Sequence, residues 1–140
     1  MNLLNFRTGR VAAAVLGSLL GACATMGEVT PATSLEAKRA AVLKRADARG
    51  AALVRGDLEA AYAYLSEGSK AVISLDNFKR RMSMVPFTAY RIDGAKCEVE
   101  SCNVDAKLTY NHRVMKGVTT PVAETWVIER GNVFFVFPAI

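Results

Sequence analysis

The chain is 140 residues long, 51% of its residues are apolar, and its formal net charge is +5. A chain of this length has room for one domain with one hydrophobic core. Two of the basic residues, Arg7 and Arg10, belong to an N-terminal segment that has the pattern of a removable signal, and the remaining +3 is too small to indicate a nucleic-acid partner.

The first 22 residues have the composition of an export signal. Arg7 and Arg10 form a basic start, residues 11–22 (VAAAVLGSLLGA) are uncharged, and the first acid of the chain is Glu28. A transmembrane helix is the alternative, but it needs about 20 apolar residues, and this run is shorter and rich in Gly and Ala. We therefore predict a signal peptide over residues 1–22.

The end of this run resembles the lipobox of bacterial lipoproteins, in which an aliphatic residue and two small residues precede a cysteine. The matching residues are Leu20-Gly21-Ala22-Cys23. The resemblance implies that the Cys23 sulfur takes a diacylglycerol, that the signal is cut before it, and that the new amine is acylated. Several acyl chains make an effectively permanent anchor. A buried or chance cysteine is the alternative.

The residue after the cysteine indicates which membrane holds the protein. In Gram-negative lipoproteins an Asp there favours the inner membrane, and this chain has Ala24. The resemblance therefore implies a protein on the periplasmic side of the outer membrane, with the membrane as its partner through the acyl chains on Cys23. A protein of the cell envelope is a second candidate partner, and nucleic acid is not expected.

Cys97 and Cys102 remain available if Cys23 carries lipid. In an oxidising compartment two such cysteines pair, and we expect a disulfide that closes one small hairpin loop. Metal binding is the alternative. It is weakened by the spacing between the two cysteines and by the presence of a single histidine, His112, in the whole chain. We expect no metal and no cofactor.

The mature chain is predicted to consist of a tether and one domain. Residues 23–33 begin with the lipidated cysteine, have no hydrophobic period, and lead to a domain over residues 34–140. A capping box from Thr33 to Glu36 predicts the start of a first helix, and Gly56 its end. The expected inward residues are Leu43, Ala46, Gly50, Leu53 and Val54, and the expected solvent face contains Lys38, Arg39, Lys44, Arg45 and Arg49.

Two shorter helices are predicted to follow. Asp57 caps the second, which ends at Gly68 and has an apolar stripe at helical spacing. The apolar residues 71–73 are a candidate strand. Ser74 caps the third helix, whose inward residues are Leu75, Phe78 and Met82, and Pro86 stops it.

From Phe87 onward the apolar period changes to two, which is typical of strands. The clearest alternation runs from Cys102 to Tyr110, and a hairpin loop over 98–101 would place Cys97 and Cys102 on facing strands. Turns are predicted at Lys116-Gly117 and Gly131-Asn132, and Pro121 predicts a sheet edge or a bulge. A strand is predicted over 122–130, with Trp126 and Ile128 on one face, and a last strand over 133–137.

Helices followed by an antiparallel meander predict an α+β domain, in which N-terminal helices pack on a curved sheet of about four strands. The chain is similar to the nuclear-transport-factor-2-like superfamily, also called the cystatin-like α+β cone. The stretches that carry the similarity are 55–62 (RGDLEAAY), 124–127 (ETWV) and 131–133 (GNV). The early strand of that fold would be only residues 71–73, and a simple α–β roll is the competing fold.

The cone resemblance implies an apolar pocket on the concave side of the sheet. Aromatic side chains are numerous enough to line one. The alternative is that they fill the core, which a small domain needs, and we favour that alternative. The candidate pocket residues are Tyr62, Tyr90, Tyr110, Trp126, Phe134 and Phe135.

Enzymes of that superfamily often carry an Asp or His inside the cone. Here Asp93 precedes Gly94 in a predicted turn, Asp105 alternates outward, and His112 lies at a strand end beside Arg113. Because none of these is expected to face the pocket, no residue is placed to act as a general acid or base. The basic run at 79–81 is interpreted as the solvated face of a helix rather than a site for anionic lipid.

The sequence therefore favours a non-catalytic binding or accessory module of the cell envelope. A carrier of a small apolar ligand and an isomerase-like cone enzyme are the alternatives. The enzyme would need a carboxylate or a histidine that points into the pocket.

Overall fold

The structure, a computed structural model, describes residues 27–138. The predicted signal peptide, the lipobox Leu20-Gly21-Ala22-Cys23 and the first residues of the tether lie outside the described residues. Within the described range, every helix is too short or too polar to cross a membrane.

Four helices precede four strands in the described chain, and the strands form one open antiparallel sheet in the order β1-β2-β3-β4. The predicted α+β class and the antiparallel meander of four strands are confirmed. The elements are α1 (Leu35–Arg55), α2 (Leu58–Ala63), α3 (Glu67–Val72), α4 (Leu75–Met82), β1 (Phe87–Cys97), β2 (Ser101–His112), β3 (Met115–Glu129) and β4 (Asn132–Phe135).

Side-chain caps and one glycine set the helix ends. The Asp57 and Ser74 side chains accept hydrogen bonds from the amides at the starts of α2 and α4, as predicted. Gly56 ends α1 in the left-handed conformation, with φ 72°, also as predicted. The start of α1 differs by one residue, because Ser34 rather than Thr33 accepts the Ala37 amide hydrogen bond.

The predicted second helix is interrupted. Helix α2 ends at Ala63, and Gly68 lies within α3. The cause is pairing with β4, since Phe135 donates to the Tyr64 carbonyl and accepts from the Ser66 amide. Leu65 between them is fully buried. Residues 71 and 72 belong to α3 and form no strand.

The predicted turns at Lys116-Gly117 and Gly131-Asn132 are both displaced. The first lies at Arg113-Val114 rather than Lys116-Gly117, so β3 is longer than predicted. Gly117 has φ 67° within β3 and donates to the Asn111 side chain, where the register between β2 and β3 shifts. The second turn is formed by Arg130 and Gly131, both at positive φ, as a two-residue type I′ hairpin requires.

Pro121 lies at a sheet edge, as predicted. It pairs with Lys107 of β2, whereas β4 pairs only with residues 126–129 of β3. Beyond that short ladder the other side of β3 has no strand partner among the described residues. The missing amide hydrogen of Pro121 therefore breaks no ladder bond there. Strand β4 itself ends at Phe135 instead of continuing to 137.

One core joins the helices to all four strands. Trp126 is fully buried on β3, Phe78 is fully buried on α4, and Cys102, Val104 and Ala106 alternate inward on β2 as predicted. The other buried apolar residues include Val42, Ala46 and Leu53 of α1, Ala61 of α2, Cys97 of β1, and Val133 and Phe135 of β4.

Lys38 corrects the predicted solvent face of α1, because it is only 1% exposed. Its ammonium group donates to the carbonyls of Pro31 and Val99, each at 2.7 Å, and to that of Glu98 at 3.4 Å. A buried ammonium requires such partners. Lys38 thereby connects the segment before α1 to the loop between β1 and β2.

The end of the predicted tether contacts the domain. Val29 is buried, and its amide donates to the Gly131 carbonyl at 2.8 Å. Together with the contact between Pro31 and Lys38, this attaches the chain to the domain from Val29 onward.

A disulfide joins Cys97 at the end of β1 to Cys102 near the start of β2. The two residues are direct cross-strand partners, and the Glu98 amide donates to the Ser101 carbonyl at 2.7 Å to close the loop. The bond therefore secures one hairpin beside the carbonyls that hold Lys38.

Reducing this disulfide is expected to lower the free energy of unfolding by about 2 kcal/mol, because the closed loop is short and limits the unfolded chain only modestly. Urea denaturation with and without reductant measures the difference. The Cys97→Ala/Cys102→Ala variant is the control, since reductant should leave its midpoint unchanged. Loss of the whole folded state on reduction would contradict a role confined to one hairpin.

Candidate functional site

A buried ion pair joins α1 to β3. Nη1 of Arg49 lies 2.9 Å from Oε1 of Glu124, and the two residues are 3% and 6% exposed. Arg49 was predicted on the solvent face of its helix, and the structure contradicts this. A buried charge needs a partner of opposite sign, and Glu124 provides it.

The other oxygen of Glu124 is also occupied. Oε2 accepts hydrogen bonds from the Tyr90 hydroxyl and from Nε1 of Trp126, each at 3.1 Å. The Arg49 guanidinium also lies over the Phe135 ring, 3.7 Å from its centre, in a cation–π contact. We call Arg49, Tyr90, Glu124 and Trp126 the buried polar cluster.

Burial and charge shift two pKa values in the buried polar cluster. Burial lowers the pKa of Arg49, against the opposing effect of the Glu124 charge. Burial, and then the charge of Glu124, raises the pKa of Tyr90 well above its ordinary value. Tyr90 therefore keeps its proton and donates a hydrogen bond to Glu124.

We expect the Tyr90 hydroxyl to make the protein less stable in alkali. Above about pH 10 an unfolded tyrosine loses its proton while folded Tyr90 retains it, so stability falls by about 1.4 kcal/mol per pH unit from this group. The measurement is the free energy of unfolding of the parent protein minus that of Tyr90→Phe, between about pH 8 and pH 11. The difference should be constant at first and then fall; a constant difference throughout would contradict the expectation.

A cavity of about 500 Å³ lies beside the buried polar cluster. Its walls come from α1, α4, β2, β3, the end of β4 and the residues after it. Arg49, Arg81 and Glu124 are its charged lining groups. The volume is within the range of small-molecule sites. The main apolar lining residues are Leu53, Met82, Leu108, Val122, Phe135 and Phe137.

Of the six candidate aromatic residues, only Phe135 lines this cavity. The Tyr62 hydroxyl donates to the Ile73 carbonyl, and the Tyr62 ring packs against Phe78. Tyr110 shares a hydrogen bond with Thr120. The remaining three are placed elsewhere: Tyr90 and Trp126 on Glu124, and Phe134 between the guanidinium groups of Arg45 and Arg130.

The structure does not bring the sequence-selected acids or the histidine to the cavity. Asp93 lies within β1 at a register shift, not in the predicted turn, and pairs with Lys107 and Arg91 at 2.9 and 3.2 Å. The hydrogen bond from Lys107 lowers the pKa of Asp93. Asp105 is exposed on β2, and His112 is exposed at its end.

The inward carboxylate that the sequence analysis did not find is Glu124. Alternation places residues 122, 124, 126 and 128 on one face, and the prediction used that face only for Trp126 and Ile128. Likewise Arg49 lies seven residues after buried Val42 and four before buried Leu53, on the inward stripe of α1. Both signals were present in the sequence.

The basic run on α4 is divided between surface and cavity. Lys79 pairs with Glu59 at 3.0 Å, and Arg80 bonds to Asn77, both on exposed surface. Arg81 instead lines the cavity, with its guanidinium 5.2 Å from the centre of the Phe137 ring. For metal ions, residues 27–138 contain no group of three or more His, Cys, Asp or Glu side chains able to hold one.

The sequence matches no protein-family model and no curated protein. The structure is similar to the solution structure of a SEC-C motif containing protein from Rhodopseudomonas palustris. The match has a TM-score of 0.56 and 15% sequence identity, and it covers 66% of this chain and 73% of that one. At this identity the similarity shows a shared fold.

Proposed function

We propose that this protein is an outer-membrane lipoprotein, anchored by acyl chains on Cys23, whose domain is a non-catalytic binding module for a small apolar ligand. The cavity between α1, α4 and β3 is its binding site. The observation that carries the binding role is this cavity of about 500 Å³, walled largely by apolar side chains.

Two observations support the proposed location. The first is the lipobox match, and the second is that Cys23 is the third cysteine of the chain once Cys97 and Cys102 are joined. Under this proposal only residues 24–28 separate the anchor from the contact between Val29 and Gly131. Fully extended, such a segment spans roughly 15–20 Å. The domain would then stay close to the bilayer, with the turn between β3 and β4 on the membrane side.

We further propose that the domain is cone-like, with helices packed on a curved sheet, as in the nuclear-transport-factor-2-like superfamily. Register shifts in β1 and in the β2–β3 pair support curvature, because bulges bend strands. Contacts from α1 support the packing: Arg39 donates to the Ala95 carbonyl of β1, Arg45 to the Val133 carbonyl of β4, and Arg49 pairs with Glu124 of β3.

The hydrogen-bond partners of Glu124 favour a binding function over isomerase chemistry. It is the inward carboxylate that a cone enzyme would use, but Arg49 occupies one oxygen, and Tyr90 and Trp126 occupy the other. A general base must reach the proton that it abstracts. Here both oxygens are already engaged in holding α1, β1 and β3 together.

The proposed lipidation and membrane location are tested by palmitate labelling and membrane fractionation of the full-length chain in a Gram-negative host. The parent protein should incorporate label and sediment with the outer membrane, and Cys23→Ser should do neither. Cys102→Ser is the matched cysteine control and should still be labelled. An unlabelled parent protein with its first methionine intact would overturn the lipoprotein proposal.

The binding site is tested with Nile red, a neutral apolar dye, and the mature chain from residue 23 carrying Cys23→Ser. The parent should bind one dye molecule saturably. Val122→Trp, which fills the cavity, should abolish binding, whereas Thr119→Trp, on an exposed position of the same strand, should not. Circular dichroism checks that both variants are folded. Equal binding by both folded variants would overturn the assignment of the site.

A further inference from the structure

We propose that the cavity selects amphipathic anions, with the apolar body of the ligand against Leu53, Leu108 and Val122 and its anionic head on Arg81. This inference rests on the proposed binding function and specifies the chemical class of the ligand. The shared chemistry is an alkyl or similarly apolar body that ends in a carboxylate or another anionic group.

Arg81 differs from its neighbours on α4 in having no side-chain hydrogen-bond or ion-pair partner among residues 27–138. Lys79 pairs with Glu59, and Arg80 bonds to Asn77. Within residues 27–138, no carboxylate lies within salt-bridge distance of Arg81. Its guanidinium lies over Phe137 and lines the cavity, and the residue remains partly exposed. Among the described residues, Arg81 is therefore a cation without a counter-charge at a largely apolar site.

The other charges of the cavity cancel. Arg49 and Glu124 form an ion pair and are both almost completely buried. With Arg81 included, the charged lining groups therefore have a net positive charge. A ligand with an anionic head would neutralise this excess through charge-assisted hydrogen bonds to the guanidinium, which presents several donors in a fixed geometry.

Arg49 also contributes a polar group to the cavity wall. Its Nε is the one buried side-chain nitrogen or oxygen of the described residues that lacks a hydrogen-bond partner. Buried donors of this kind are uncommon and costly. Arg49 therefore has one unused hydrogen-bond donor, while its side chain forms part of the cavity wall.

The proposal is tested by competition against Nile red with three probes of equal chain length, all below micellar concentrations: dodecanoate, dodecanol and dodecyltrimethylammonium. The parent protein should bind dodecanoate roughly tenfold more tightly than dodecanol, as expected for one charge-assisted contact that is partly exposed. Dodecyltrimethylammonium should bind most weakly.

The variants assign the preference to one side chain. Arg81→Gln should bind dodecanoate and dodecanol equally, and Arg81→Lys, which keeps the charge, should retain the preference. Arg80→Gln is the matched control on the adjacent, exposed position and should behave as the parent.

Three outcomes would overturn the inference, and they differ in what they say about the binding function. Equal affinity of the parent for dodecanoate and dodecanol refutes anion selection. A preference retained by Arg81→Gln refutes the assignment of that selection to Arg81. In both cases the apolar site stands. Failure of every probe, including Nile red, to bind refutes the proposed function and the inference together.

Discussion

Replacing Glu124 with glutamine should lower the free energy of unfolding by about 3–5 kcal/mol, the usual effect of removing one member of a buried ion pair. The amide occupies nearly the same space, so little packing is lost. What remains is an Arg49 guanidinium in the interior without its counter-charge. The amide group also replaces one acceptor oxygen with a donor that faces Arg49 or Tyr90.

Urea denaturation of the mature chain carrying Cys23→Ser measures this effect, and Asp93→Asn is the matched control. Asp93 also pairs with two basic residues, Arg91 and Lys107, but on exposed surface. Such pairs contribute at most about 1 kcal/mol. If Glu124→Gln lowered the free energy of unfolding as little as Asp93→Asn, the buried polar cluster would not be important for stability.

A double variant separates the effect of an unpaired Arg49 charge from the effect of losing the contact between Arg49 and Glu124. Arg49→Met/Glu124→Leu removes both charges and leaves no ion unpaired, so it should be more stable than Glu124→Gln, because apolar replacements of buried ion pairs are often tolerated. The Tyr90 hydroxyl and the Trp126 indole would lose their acceptor, which limits the recovery.

The sequence predicted the parts of the fold whose signal is local. Asp57, Ser74 and Gly56 set helix ends through atoms a few residues away, and the alternation along β2 depends only on which face is buried. The break between α2 and α3 could not be found in this way. It is caused by hydrogen bonds to Phe135, which is distant in the chain.

The buried polar cluster was missed for a related reason. Charged residues are almost never fully buried unless they are paired, so Lys38 and Arg49 were assigned to solvent although their spacing placed them on the inward stripe. Apart from the Pro31 carbonyl, their partners are the carbonyls of Glu98 and Val99 and the carboxylate of Glu124, all on distant elements. One sequence shows the inward positions but not which distant group meets each of them.

The cavity depends on the same long-range pairing. The ion pair holds α1 to β3, and both of its members line the cavity together with Phe135, over which the Arg49 guanidinium lies. Tyr90 and Trp126 donate hydrogen bonds to Glu124 but do not line the cavity themselves. The cluster therefore acts in our proposal as a fixed wall, and Arg81 as the group that meets the ligand.

Gly50→Ala should be strongly destabilising, although alanine is normally the better helix residue by about 1 kcal/mol. Gly50 is buried in α1, and a Cβ there would overlap the Tyr90 ring at Cδ1 and Cγ. Overpacking typically costs about 1–3 kcal/mol. Moving the ring also breaks the bond from the Tyr90 hydroxyl to a charged acceptor, which contributes about 1.5–3 kcal/mol. After the helix-propensity gain, the expected net loss is about 1.5–5 kcal/mol.

Gly68→Ala provides a control of opposite sign, because Gly68 lies within α3 and a Cβ there would meet nothing within 4 Å. It should raise the free energy of unfolding by up to about 1 kcal/mol. A double-mutant cycle then tests the cause. In a Tyr90→Ala background the ring is absent, so Gly50→Ala should cost little or become stabilising. If Gly50→Ala remained equally harmful there, the close approach of Tyr90 would not be the reason for a glycine at this position.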